Sequence, residues 1–245
     1  HRVDRRQRQM CIRDSHSIES MPRSTVMRSL HVSPRRFKFQ MWLLNFLGYK
    51  GLSMRELYPY INGNKVGKVI GITFDDGYQN NLCNAGPILK KYNFSATCYI
   101  VKKEIGASNV WDSCHGITQR PLMSVNEIKE WIAMGMDIGA HTQTHADLTK
   151  INKKQALTEI LDCKVELEEE FNMKIVDFCY PYGRFDSDIM KIVERAGYSS
   201  ATTMLRGRSK IESNKYMLPR IPINYHTLPH LFLIKILTRY EENRQ

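Results

Sequence analysis

KVIGITFDDG (68–77) carries an apolar run straight into two adjacent carboxylates and a glycine. The apolar part (68–74) is too short for a stable helix and rich in β-branched side chains. It reads as a strand buried on both faces, the kind found in parallel sheets. A carboxylate pair inside such a sheet would repel and lose its hydration. Asp75 and Asp76 therefore belong beyond the strand's C-terminal end, where α/β folds open their sites. Asp-Gly is also a common turn dipeptide, so the pair alone does not separate a site from a turn.

The same grammar repeats on the C-terminal side. SATCYIV (95–101), MDIGA (136–140), KIVDFCY (174–180), SSATTM (199–204) and MLPRIPI (217–223) read as further strands. Helical segments fill the gaps. Ala85 to Tyr92 tolerates Pro87 in its first turn. Ser124-Val-Asn-Glu127 is a capping box opening a helix that stops at Gly135. Ala156, Ile160, Cys163, Leu167 and Phe171 form one apolar stripe within 152–171. Upstream, 37–48 and 52–61 read as two more helices, the second with Ser53 and Glu56 at capping-box spacing. Trp42 and Trp131 sit on apolar faces and are expected in the core. Strands alternating with helices imply βα units around a parallel sheet, hence an α/β fold.

A second strand end carries chemistry. MDIGA runs into His141-Thr-Gln-Thr-His145. On a helical turn, His at i and i+4 share one face and can share one ion. Such pairs are often accidental alone, but an Asp pair at a neighbouring strand end makes them compatible. One Asp and two His leave a coordination position open, as catalytic zinc requires, and a divalent ion lowers the pKa of bound water towards ~7. The other Asp is then free to act as base.

The net charge of +11 is uneven, because residues 1–36 hold nine Arg against Asp4, Asp14 and Glu19. A basic chain can signal nucleic acid, but no helix-turn-helix, zinc-finger or RNP pattern is present, so no nucleic-acid partner is expected. HRVDRRQRQMCIRDS has no hydrophobic period and does not read like the rest. The segment 1–36 is set aside as unstructured or as an upstream read-through, with the start at Met21 or Met27. No leader of basic then apolar residues is visible, and no apolar stretch is long enough to span a bilayer. Six scattered cysteines without a CxxC pair favour a reducing compartment; the cytoplasm is the expected location.

ITFDDGYQNN (72–81), HTQTHADL (141–148) and FCYPYGRFD (178–186) together resemble the first three motifs of the polysaccharide deacetylases, carbohydrate esterase family 4 with its NodB-homology domain. The YPYG form is similar to the poly-N-acetylglucosamine deacetylase-like branch. The resemblance spans roughly 37–223. It implies a distorted (β/α)7-type barrel, a single domain over 37–245, and hydrolysis of acetyl groups from an N-acetylated or O-acetylated glycan. It implies Asp75 as the base acting on a metal-bound water, and Asp76, His141 and His145 as ligands of a divalent ion, Zn²⁺ foremost, with Co²⁺, Ni²⁺ or Fe²⁺ as substitutes. Pro181, Tyr182 and Gly183 match the groove wall, with the Tyr182 N–H near the oxyanion.

The pattern has departures. Cys179 stands where many members carry the Arg that orients the base. Arg220 is a candidate for that cation or for a substrate contact, against a plain surface arginine. The usual fourth motif, Asp-x-x-Asp-Trp, is absent, and the histidine acid of the fifth has no clear match; His226, then His230, are the nearest candidates. A catalytically degenerate glycan binder is the alternative reading. Trp111, Asp112 and His115 lie in a loop that could line the groove or merely pack.

Overall fold

A computed structural model describes residues 9–20 and 26–244. Seven parallel strands close a barrel: β1 (Gln9–Ser15), β3 (Val69–Phe74), β4 (Thr97–Ile100), β5 (Asp137–Ala140), β6 (Asp177–Cys179), β7 (Ser200–Arg206) and β9 (Leu218–Pro222). Closure comes from β1, which pairs with β3 on one side and β9 on the other. Two short strands lie outside the ring. β2 (Lys50–Leu52) extends β3, and β8 (Ser209–Lys210) runs antiparallel to β1. The expected distorted (β/α)7 barrel in one domain is what the chain forms.

Six of the seven barrel strands are those expected from the sequence. The seventh is a correction. The stretch set aside as unstructured or extraneous contains β1, and without it β3 and β9 would face each other as open edges. Its sequence, QMCIRDS, hides the strand because Arg13, Asp14 and Ser15 are buried in the barrel. A buried strand normally advertises itself by apolar side chains; here Arg13 is satisfied by Ser15 Oγ and Gln40 Oε1, and Asp14 by Arg220. Ser17 and Ile18 are buried as well, and Ser17 bridges to His31. Residues 1–8 and 21–25, including the alternative start at Met21, lie outside the described residues.

The helices pack around the barrel: α1 (Pro34–Phe46), α2 (Met54–Ile61), α3 (Gly86–Lys91), α4 (Val125–Ala133), α5 (Lys153–Phe171), α6 (Ser187–Arg195) and α7 (Pro229–Leu237). Their caps follow the sequence. Ser124 and Glu127 form the reciprocal box opening α4, and Asn152 with Gln155 does the same for α5. Ser53 caps α2 by half a box only, since the Glu56 carboxylate turns to Ser95 Oγ. The stripe Ala156, Ile160, Cys163 and Leu167 of α5 is buried. Trp131 is core, packed edge-on to Phe74. Trp42 is not, at 44% exposure: α1 buries Phe37, Met41 and Leu44 and leaves a second apolar stripe outside.

Gly139 shows how tightly the barrel closes. A Cβ there would fall 2.5 Å from the Tyr99 ring and 2.9 Å from the Asp177 carbonyl. Among the described residues no helix is long and apolar enough to cross a membrane.

Candidate active site

The C-terminal ends of β1, β3, β5, β6 and β7 open into one cavity of about 530 Å³, lined by His16, Asp75, Asp76, His141, His145, Tyr180, Tyr182 and Met204. Val26, Met27 and Leu30, with Trp111, Asp112 and Ile117, close its sides. Both strand-end motifs reach the same space.

The backbone brings them there by turning left-handed. Asp76 (φ 73°), Thr142 (φ 66°), His145 (φ 60°) and Tyr182 (φ 57°) are four of the seven non-glycine residues with positive φ among the described residues. Such residues are costly and cluster where a site over-determines them. The expected helical turn for HTQTH is thus a correction: the segment is a loop, and His141 and His145 converge through two left-handed residues rather than through helical periodicity. Their ring centroids lie 4.8 Å apart.

Among the described residues, three groups of side chains bring ligand atoms within 4.8 Å of one another: Asp76–His141–His145, Asp75–His141–Cys179 and Asp14–His16–Asp75. The first fits a cation best. Asp76 Oδ1 lies 3.5 Å from His141 Nε2 and 3.4 Å from His145 Nε2, and it is buried without a hydrogen-bond partner. A buried carboxylate oxygen of that kind is expensive unless something positive sits against it. The His141 ring is pinned by its Nδ1, 2.8 Å from the Cys179 carbonyl, the kind of outer contact that fixes tautomer and direction in metal sites. Burial, reinforced by His141, pushes the His145 imidazole down to about 3, so it is neutral and able to ligate. In the second group Asp75 is already engaged by a cation, and burial pushes the Cys179 thiol up, leaving it a neutral, poor ligand.

That cation is Arg220. It is 2% exposed, so the plain surface reading fails. Its Nη1 and Nη2 each donate to one oxygen of Asp75 at 2.7 Å, and Nη1 also reaches Asp14 Oδ1 at 2.8 Å. Nε donates to the Thr203 carbonyl at 2.8 Å. Every nitrogen is committed beneath Asp75, and Arg220 does not line the cavity, which argues against a substrate contact. Burial works against the charge on Asp75, but the guanidinium outweighs it and holds the carboxyl well below the usual range. Arg220 thus reaches in from β9 to stand beside Cys179, whose Sγ is 3.4 Å from Nη2.

His226 is not brought to the site. It lies exposed ahead of α7, edge-on to Tyr225, and His230 is exposed on the first turn of that helix. The histidine that does enter is His16, directly after β1. Its loop is clamped by the tail of the first motif. Asn81 Nδ2 donates to the His16 carbonyl at 2.8 Å, and Asn80 bonds Ser17 Oγ at 2.8 Å and the Ile18 N–H at 3.0 Å. Burial alone would depress the His16 ring, but Asp76, Asp75 and Asp14 together raise it. The usable signal in the sequence was a histidine after a short segment beginning Cys11-Ile12; the charges that follow concealed it.

Pro181, Tyr182 and Gly183 form a tight turn at the mouth. Gly183 (φ 66°) cannot be replaced freely, because a Cβ would meet Met204 at 2.5 Å. Tyr182 stands edge-on to His145 at 4.6 Å, and Trp111 stacks on the same imidazole at 4.5 Å. Of the two readings for the 111–115 loop, Trp111 and Asp112 follow the groove-lining one; the His115 side chain lies outside what is described.

A model of the polysaccharide deacetylase family matches residues 62–201. YxkH of Bacillus subtilis, named for polysaccharide deacetylase, is 30% identical over 198 residues, covering 80% of this chain and 67% of its own. A poly-β-1,6-N-acetyl-D-glucosamine N-deacetylase of Staphylococcus aureus is 28% identical, covering 85% and 73%. Among solved structures, the Streptococcus pyogenes deacetylase PplD in complex with acetate superposes with a TM-score of 0.81 at 26% identity, covering 93% of this chain and 97% of that one. The seven-stranded barrel, the motifs converging at its mouth and these likenesses together place the chain in the polysaccharide deacetylase family.

Proposed function

We propose that this chain hydrolyses N-acetyl groups on a glycan of the N-acetylglucosamine type, using a divalent ion held by Asp76, His141 and His145. The observation that carries the reading is the orphaned Asp76 Oδ1 between two imidazole Nε2 atoms. Two nitrogens and one oxygen suit Zn²⁺, with Co²⁺, Ni²⁺ or Fe²⁺ as substitutes. When bound, such an ion supplies a Lewis acid for the acetyl carbonyl and favours deprotonation of water at neutral pH. The staphylococcal relative's named substrate supports the choice of glycan.

The chain's own residues divide the proton work. Asp75, kept ionised and aimed by Arg220, accepts the proton of the attacking water. His16 faces the same space with its proton held more tightly than in water, and gives one to the departing sugar amine. Two titratable groups whose surroundings push them in opposite directions mark base and acid. The Tyr182 N–H donates to the carbonyl oxygen as charge develops there. Trp111 and Tyr182 flank His145, hold it in place and keep bulk water from the reacting carbon.

Acetate release from N-acetylglucosamine oligomers, with and without added Zn²⁺, tests the reading. Release should require the metal; none above the level of His141→Ala would overturn it.

A further inference from the structure

The outer face of α1 has no role in the chemistry above. Phe39, Trp42 and Phe46 recur along it at 39%, 44% and 71% exposure. Their rings form a continuous strip, with centroids 5.4 Å and 5.5 Å apart. The opposite face of the helix is apolar too, and buried. Exposed apolar patches of this kind mark interaction surfaces.

Charge says what covers it. PRRFKFQMWLLNF contains no acidic residue. Arg35 and Lys38 are exposed at its start, and Lys50 and Lys68 at its end. The neighbouring helix α7, PHLFLIKIL, also lacks acids and exposes Ile234 and Leu237. A dimer across a two-fold axis would set this cationic rim against its own copy. A neutral glycan would have no use for it. Trp and Phe on a helix that has no acid of its own and exposed Arg and Lys about its ends suit the boundary of an anionic bilayer, where rings insert at headgroup depth and Lys and Arg meet the phosphates.

We propose that α1 is a docking surface for an anionic lipid bilayer. Val26 and Met27, exposed at the rim of the catalytic cavity, lead within a few residues into this helix. Docking therefore lays the side of the barrel on the membrane, with the cavity at the end where α1 begins, open to a glycan bound to or emerging from that surface.

The test is co-sedimentation of the full chain with vesicles of phosphatidylcholine alone or mixed with phosphatidylglycerol. The chain should pellet with the mixed vesicles and be released by high salt. Replacing Phe39, Trp42 and Phe46 together by Ser should weaken partitioning at least about tenfold, while acetate release from soluble oligomers stays unchanged and certifies the fold. Reversing Arg35 and Lys38 to Glu should do likewise. Absence of vesicle binding, or equal binding by the Ser variant, would overturn the proposal. So would loss, in that variant, of dimerisation or of adsorption to an insoluble acetylated glycan with vesicle binding untouched. Failure of the deacetylase reading would appear instead as missing acetate release by the unmodified chain.

Discussion

Arg220 grips Asp75 through both carboxylate oxygens, each at 2.7 Å, from a strand 145 residues away in sequence. The pair is buried, and its second acid, Asp14, shares the same guanidinium. A fork of this kind fixes direction as well as charge. It turns the carboxylate that faces the cavity into a permanently ionised group, so loss of its charge should not set the acid limb of the activity profile.

Arg220→Lys keeps the charge but cannot span both oxygens. We expect kcat to fall about 100-fold with metal content unchanged, since a misaimed base costs roughly that much. Arg220→Met, which removes the charge as well, should in addition move the acid limb of the rate profile to higher pH, because Asp75 would then lose the cation that depresses it. Acetate release across pH, with metal analysis of the same samples, checks both.

The two aspartates should separate cleanly. Asp75→Asn should retain the ion and lose roughly 10²–10⁴ in kcat. Asp76→Asn should lose the ion at equal folding stability and recover only partly with excess Zn²⁺. Finding the Asp75→Asn protein empty of metal would reverse the two roles.

His16→Asn should depress kcat on amide substrates about 10²-fold or more, whereas His226→Ala should match the parent. The loss at position 16 should shrink on acetyl esters whose leaving group needs no proton. A single assay series with amide and aryl ester substrates distinguishes an acid from a mere packing residue.

Asp177, at the opposite end of the barrel, offers a test of stability. It is buried beside Ser200 Oγ at 2.5 Å with one oxygen unpartnered, and burial pushes its carboxyl up to about 7. Its folded value lies above its unfolded one, so its contribution is fully present below about pH 4 and is lost as pH rises through 7. Asp177→Asn should therefore gain Tm relative to the parent at pH 8, by a few degrees for each ~1 kcal/mol, and show no such gain at pH 4. Thermal melts at the two pH values decide it.

Residue pattern alone is enough to read the βα alternation, six of the seven barrel strands, and the two motifs whose residues meet at the mouth. These are legible because buried parallel strands are apolar runs and because acidic or imidazole side chains at strand ends have few structural uses. Tertiary structure alone decided the rest. The closing strand β1 carries buried charges explained only by the partners the fold brings to them, Arg220 on the neighbouring β9 and Gln40 on α1. Arg220 reads as any surface arginine until β9 brings it beneath Asp75. His16 becomes part of the site only because Asn80 and Asn81, about 60 residues later, clamp its loop. The approach of His141 to His145 depends on left-handed backbone that no residue pattern announces. Local pattern records which faces are apolar; it does not record which distant partner makes a buried charge tolerable.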